Sequence, residues 1–306
     1  MSPDPVDKDH AMANPNAQLQ AALTRFAAQP GITPDQAAQL TAAVTQDARL
    51  LQRLNDDAAA GHLTGFALPS VGAAPNLTGT YDKASSVVTL PPGDFQPSGS
   101  APGNDLIASL RVQDMTARYA HTTWVDAPGN TQPVSQNMIT NMQDTLNGSL
   151  VLAEQVKLAA STVDPGSSPP RFRLEEMASL SGTVAGGTYN GYSKTISLPP
   201  ASLDMPPSQF HATGVIDMTF VLGHEIQHGF NYPSYDAATQ AFYTDAIAIA
   251  RDSNPANDYT VRIGNLIRSN RENEANGAYC GVECFIELEA ATAEPARQPG
   301  RYEASW

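Results

Sequence analysis

Cysteine is almost missing from this chain of 306 residues: Cys280 and Cys284 are the only two, so no disulfide framework holds the fold together. Their i, i+4 spacing on a predicted helix could mark a metal or redox pair, but cysteine also serves as a compact apolar residue, and that reading is preferred. Basic residues are also scarce, 17 Lys and Arg against 31 Asp and Glu, for a net charge of −14. That balance excludes a nucleic-acid binder, which needs clustered cations on phosphate, and disfavours an anionic membrane surface. No apolar run approaches the length of a membrane span, so no membrane insertion is expected. The first ten residues, Met1 to His10, are polar and acidic and lack the apolar stretch of a secretory signal. This predicts synthesis in the cytoplasm, with any export by a signal-independent route. What the chain does have is 41% hydrophobic residues, enough to bury a core in one large domain or two small ones.

Histidine is rare, 6 in all, yet two of the six stand in His224-Glu225-Ile226-Gln227-His228. On a helix His224 and His228 fall one turn apart on the same face, so both imidazoles can hold one zinc ion. Glu225 stands beside them, in reach of a proton on a metal-activated water. The preceding run, Val215 to Gly223, is apolar at roughly helical spacing and can bury one side of such a helix.

Pattern along the chain predicts an α+β fold. The first dozen residues read as disordered, and a helical N-terminal segment runs to residue 66. Leu19, Leu23, Phe26 and Ala27 form one apolar stripe. A second helix starts at Thr33 (N-cap) and Pro34 and carries Leu40, Val44, Leu51 and Leu54 as far as Gly61. This segment holds no legible chemistry and reads as a packing or partner-docking module. From residue 67 to 306 one further domain is expected, with a small antiparallel or mixed sheet. Pro133 to Ala160 shows helical spacing with a break near Asn147-Gly148, and Val163 to Pro170 reads as a loop. Asn231-Tyr232-Pro233 is expected to end the motif helix, with further helices over 236–251 and 258–289 and an irregular tail.

Inside this domain the sequence repeats itself. Gly79-Thr-Tyr-Asp-Lys-Ala-Ser-Ser-Val-Val-Thr-Leu-Pro-Pro92 matches Gly187-Thr-Tyr-Asn-Gly-Tyr-Ser-Lys-Thr-Ile-Ser-Leu-Pro-Pro200. Each reads as a hairpin running into a Pro-rich loop, with Asn190-Gly191 as the turn signal in the second. The likeness continues from Val112–His121 to Val215–His224, so that His121 stands against His224, Thr122 against Glu225 and Val125 against His228. The first copy, about 76–125, would then be a metal-free companion of the second, 184–228.

A catalytic zinc usually has three protein ligands and one open position. Asn231 and Ser234 stand where the metzincin pattern needs Gly and His, and Asp236 is two residues too far for an aspartate variant. A glutamate from a downstream helix remains, and Arg271-Glu-Asn-Glu-Ala-Asn-Gly-Ala-Tyr279 offers two. Here the chain resembles the gluzincin peptidases, whose glutamate helix carries Glu-x-Glu-Ala followed by Asp or Asn. The likeness covers only about Val215 to Glu289. It implies a zincin-like domain, Glu272 as third ligand and Asn276 as a hydrogen-bonding support, with Glu274 as the alternative ligand.

The expected function is therefore a zinc (Zn2+) metallopeptidase acting on a protein or peptide, with Glu225 as general base. The hairpin from Thr183 to Leu198 would serve as the edge strand for an extended substrate. Tyr243, Tyr259, Tyr279 and His211 are candidates for oxyanion donors. Two other readings stand beside it: a zinc amidase on a non-protein or cell-wall amide, and a non-catalytic zincin-like binding protein. The organisation also suggests a bacterial effector exported by a specialised secretion system.

Overall fold

The N-terminal helices form because each has a cap and one apolar stripe. In the computed structural model, which describes residues 14–70, 73, 76–97, 99, 101–126, 128–161, 174–180, 186–210, 214–251 and 260–293, α1 (Ala17–Ala27) starts where the Asn16 side chain accepts from the Leu19 N–H. Thr33 and Gln36 close a capping box at the start of α2 (Pro34–Gln46). The single long helix expected next is two helices. Asp47 leaves the helical region (φ −114°, ψ 110°) and caps α3 (Ala48–Ala60) by accepting from the Arg49 and Leu50 N–H groups. The same carboxylate holds Arg111 at 2.6 Å, so the break has a tertiary partner that periodicity does not record. Leu19, Phe26, Leu40, Val44 and Leu51 are fully buried in one core that extends to Cys284.

Two copies of one strand–helix unit follow. In the first, β1 (Gly65–Ala67), β2 (Thr80–Asp82) and β3 (Val87–Thr89) form a sheet in the order β1-β3-β2; β4 (Thr123–Val125) and β5 (Thr131–Pro133) form a separate hairpin. In the second, β6 (Glu176–Ser179), β7 (Thr188–Asn190) and β8 (Thr195–Leu198) take the order β6-β8-β7. Both sheets pair one parallel and one antiparallel neighbour, with matching register: Tyr81 opposes Val88 as Tyr189 opposes Ile196. The hairpin turns match too. Asp82 and Asn190 accept backbone N–H groups two residues on. Ser86 and Lys194, at φ 56° and 55°, are the two positive-φ non-glycine residues among those described. The Asn190-Gly191 hairpin is thus a four-residue turn whose left-handed residue is Lys194, not the two-residue turn that the dipeptide suggests.

Each sheet leads through a short helical turn to a long helix. In the first copy this is α4 (Asn104–Ala120), buried along most of its length. After it, α5 (Gln136–Gly148) and α6 (Leu150–Ser161) meet at Ser149, one residue past the expected break. In the second copy two single turns, α7 (Pro200–Leu203) and α8 (Pro207–Gln209), precede α9 (Val215–Arg251). Thr116 and Thr219 occupy equivalent places and donate to the carbonyls of Val112 and Val215 at 2.9 and 2.6 Å. The copies part company at their histidines. His121 caps the end of α4 and the chain turns into β4, whereas α9 carries on past His224.

Proline did not end α9. Pro233 lies inside it, although it removes one backbone hydrogen bond and normally breaks a helix. The helix is held by packing on α5, α6 and above all α10 (Thr260–Ala293), so tertiary contact overrides the local cost. The expected disordered start, the loop at 163–170 and the tail beyond Ala293 lie outside the described residues. Among the described residues no helix is long and apolar enough to cross a membrane.

The first copy's histidine is locked in a polar cluster. The His121 ring stacks on His62 with centroids 3.6 Å apart, and His121 Nε2 meets the Tyr81 hydroxyl at 2.9 Å. Burial first, then His62 and Lys83, push the His121 pKa down to about 4. A folded value below the unfolded one, about 6.5, stabilises the fold above the unfolded pKa, and that contribution is lost as pH falls from there towards 4. Thermal melts between pH 7.5 and 4.5 should therefore show a smaller loss of Tm for His121→Gln than for the wild type; equal slopes would contradict the assignment.

Candidate metal centre

Three elements build the site: α9, α10 and the β7–β8 hairpin. On α9 the residues His224, His228 and Tyr232 recur at every fourth position, so they share one face. The opposing face of α10 reads Asn273, Glu274, Gly277, Cys280, Gly281 and Cys284, again at steps of three and four. Small residues let the two helices approach closely. A Cβ on Gly277 would lie 2.9 Å from His224 Nδ1, and one on Gly281 would lie 2.8 Å from the Phe220 carbonyl oxygen. Gly223 on α9 answers from the other side, with Cys284 Sγ only 3.0 Å from where its Cβ would be. Cys280 and Cys284 are buried and free, compact residues within this contact.

The close approach brings a carboxylate to both imidazoles. Glu274 Oε2 lies 3.6 Å from His224 Nε2 and 3.8 Å from His228 Nε2. Ligand atoms around a tetrahedral zinc at about 2.0–2.1 Å stand on the order of 3.4 Å apart, and the two Glu274 separations are close to that, although Glu274 is not part of the group of three whose ligand atoms all lie within 4.8 Å of one another. The tautomer fits as well. Asn273 Oδ1, which can only accept, faces His228 Nδ1 at 3.1 Å; Nδ1 must carry the proton, and the Nε2 lone pair is left to point at Glu274. Burial and then the neighbouring His228 lower the His224 pKa, favouring the neutral ring that a metal requires. His224, Glu225 and His228 form a group that could hold a metal ion: their ligand atoms lie within 4.8 Å of one another, and no other such group of three occurs among the described residues.

Glu225 and Glu274 differ in their surroundings. Its side chain is buried, 7% exposed, while Glu274 is 59% exposed. Burial raises the Glu225 pKa, against the opposing pull of His228 and of the Tyr189 backbone N–H that donates to its carboxylate. A buried carboxylate beside two imidazoles is placed to exchange a proton with a group bound in the cleft. Because Tyr189 lies on β7, at the edge of its sheet, this hydrogen bond ties the edge strand to the motif helix. The cleft between them, about 410 Å³, is lined by Gly187 to Tyr189 on the strand side and by Tyr232, Tyr235, Asn270 and Asn273 on the helix side.

Two of the expected residues stand away from the histidines. Glu272 does not face the histidines. Two residues from Glu274 is more than half a turn of helix, and Glu272 lines a separate shallow depression with Arg268 and Arg271. Asn276, two residues to the other side of Glu274, is exposed, and the amide that meets His228 is that of Asn273. Of the oxyanion candidates, Tyr243 and Tyr279 are exposed at 57% and 66% and are not among the residues lining the cleft, while Tyr259 and His211 fall outside the described residues. Tyr189, Tyr232 and Tyr235 line the cleft. The signal for Tyr232 was present in the sequence as the third member of the His224, His228 stripe.

Compared with protein-family models, with curated proteins and with solved structures, the chain matches none. Its functional reading therefore rests on the geometry of this site.

Zinc titration against a competing chelator tests the ligand set directly. Glu274→Gln should weaken binding by more than about 100-fold, beyond the 10–100-fold typical of outer partners, and Glu272→Gln should leave it unchanged. The reverse order would restore Glu272. Gly281→Ala forces a methyl group against backbone and should lower stability by about 1–3 kcal/mol, measured by denaturant unfolding of the metal-free protein.

Proposed function

We propose that this chain is a zinc-dependent endopeptidase, with His224, His228 and Glu274 as metal ligands and Glu225 as general base. The observation that carries the reading is the convergence of two imidazole nitrogens and one carboxylate oxygen beside a second, buried carboxylate. Two imidazole nitrogens and a carboxylate oxygen this close can share one cation, and two His with one Glu is a ligand set that catalytic zinc uses. The same arrangement underlies the resemblance to gluzincin peptidases, with Glu274 in place of Glu272.

Bound there, zinc would supply Lewis acidity towards a carbonyl and a water of lowered pKa. The chain's own groups do the rest. Glu225 takes the proton from the attacking water on its carboxylate and returns it to the leaving nitrogen. The Tyr189 N–H holds that carboxylate in place from the strand side. Asn273 keeps the His228 ring in one tautomer and one orientation. The β7 edge borders the cleft with its Tyr189 N–H held by Glu225, so an extended peptide would lie alongside the strand and over Glu225 without a full ladder of backbone pairs. This edge favours a peptide over a small amide as substrate.

Glu225→Gln keeps the shape of the side chain and removes the base. The variant should retain stoichiometric zinc by metal analysis and lose peptide cleavage by about 100-fold or more. Unchanged cleavage would refute the mechanism, and loss of the metal would make Glu225 a ligand.

A further inference from the structure

The face of α10 that turns away from α9 is apolar and exposed. Val261, Tyr279, Val282 and Ile286 all stand out to solvent there. Gly264, Arg268, Arg271 and Ala275 fill the gaps between them at steps of three and four, so the eight form one stripe. At 1.5 Å per residue it is about 40 Å long. A shallow depression lies in its middle, where Gly264 and Ala275 leave room. Gly264 differs from the glycines that face α9: a Cβ there would meet nothing within 4 Å. Glycine weakens a helix interior, and among the described residues no close contact calls for it here. Charge is divided along the same helix. Residues 260–271 carry Arg262, Arg268 and Arg271 and no acid, while residues 272–293 carry five Glu and no base. Arg262 is paired within the chain, to Asp245 at 2.6 Å, but Arg268 and Arg271 have no ion pair among the described residues. In the acidic half, Glu283 is exposed and accepts a hydrogen bond from Tyr279.

We infer that a second copy of this chain docks on the stripe, its α10 running antiparallel to the first across a two-fold axis near Ala275. Antiparallel pairing lays the basic half of each helix on the acidic half of the other, whereas parallel pairing sets like charges together. A crossing between Ala275 and Asn276 puts Arg268 of each helix opposite Glu283 of the other, twice by symmetry. The same crossing seats Ile286 of each helix over Gly264 of the other, which gives the glycine a reason. With a net charge of −14, two copies repel at long range, so a face that gathers unpaired cations is where they can meet. A contact about 40 Å by about 12 Å buries roughly 500 Å² per copy, at the lower bound for a specific interface. The dimer is therefore weak, with a Kd on the order of 10 µM. Asn270 and Glu274, which line the cleft, lie about 100° round the helix from this stripe, so pairing leaves the cleft open.

Sedimentation equilibrium of the full-length chain, from about 1 to about 200 µM, brackets that Kd. The wild type should pass from monomer to dimer over this range. Arg268→Glu and Glu283→Arg should each weaken self-association by at least about 10-fold. Both positions are exposed, so circular dichroism should show each variant as helical as the wild type. Mixed one to one, the two variants should regain the wild-type affinity, because every like-charge contact becomes an opposite pair. A wild type that stays monomeric, or variants that dimerise as it does, overturns the second copy as the occupant of this face. Weakened variants that do not recover in the mixture overturn the antiparallel arrangement.

Discussion

The closeness of α9 and α10 is the constraint on which the site depends. Neither helix can assemble it alone: the two histidines and Glu225 are on one, and Glu274 and the Asn273 amide are on the other. A Cβ at 223, 277 or 281 would come within 3.0 Å of an atom on the facing helix, so side chains there would push the two helices apart. Glycine in the middle of a helix costs about 1 kcal/mol relative to alanine, and the chain carries that cost at three places in one interface. The cost is offset by packing, since α9 also buries Met218, Leu222 and Ile226 in the common core. The same packing carries α9 through Pro233.

The two copies of the strand–helix unit show what the site adds to a shared frame. Order, register, turn conformation and the threonine bond on the long helix are alike in both. The difference lies after the histidine. Where α4 ends, His121 is captured by His62 and Tyr81, and its ring nitrogen is spent on a hydroxyl. Where α9 continues, the next turn brings a second histidine and the following one a tyrosine. The group in the second copy that could hold a metal ion thus comes from lengthening one helix, with the sheet unchanged.

Much of this was legible in the sequence, and the reasons for the rest are specific. The His224–His228 pair and the repeated Gly-Thr-Tyr segment are local patterns, and local patterns survive translation into structure. Asp47 was missed as a break because its partner, Arg111, is remote in sequence. The choice between Glu272 and Glu274 depends on which face of α10 meets α9, and a motif of two glutamates two residues apart does not say. The stripe of Gly277, Gly281 and Cys284 does say it, since only Glu274 lies on that stripe. Composition placed the cysteines correctly as compact residues without showing that their smallness matters to the metal site.

The outer edge of β2 is already occupied. The Gln143 side chain from α5 bonds both the N–H and the carbonyl of Tyr81, and Asn147 does the same service for Leu77, Thr78 and Gly79. Two amide side chains thus imitate a missing strand and close that sheet to newcomers. At β7 the corresponding N–H is held by a carboxylate that belongs to the cleft. An open edge invites pairing between identical molecules as readily as pairing with a substrate. Amide side chains cap the edge in the first copy, and in the second the edge strand is only three residues long, which limits what it can template.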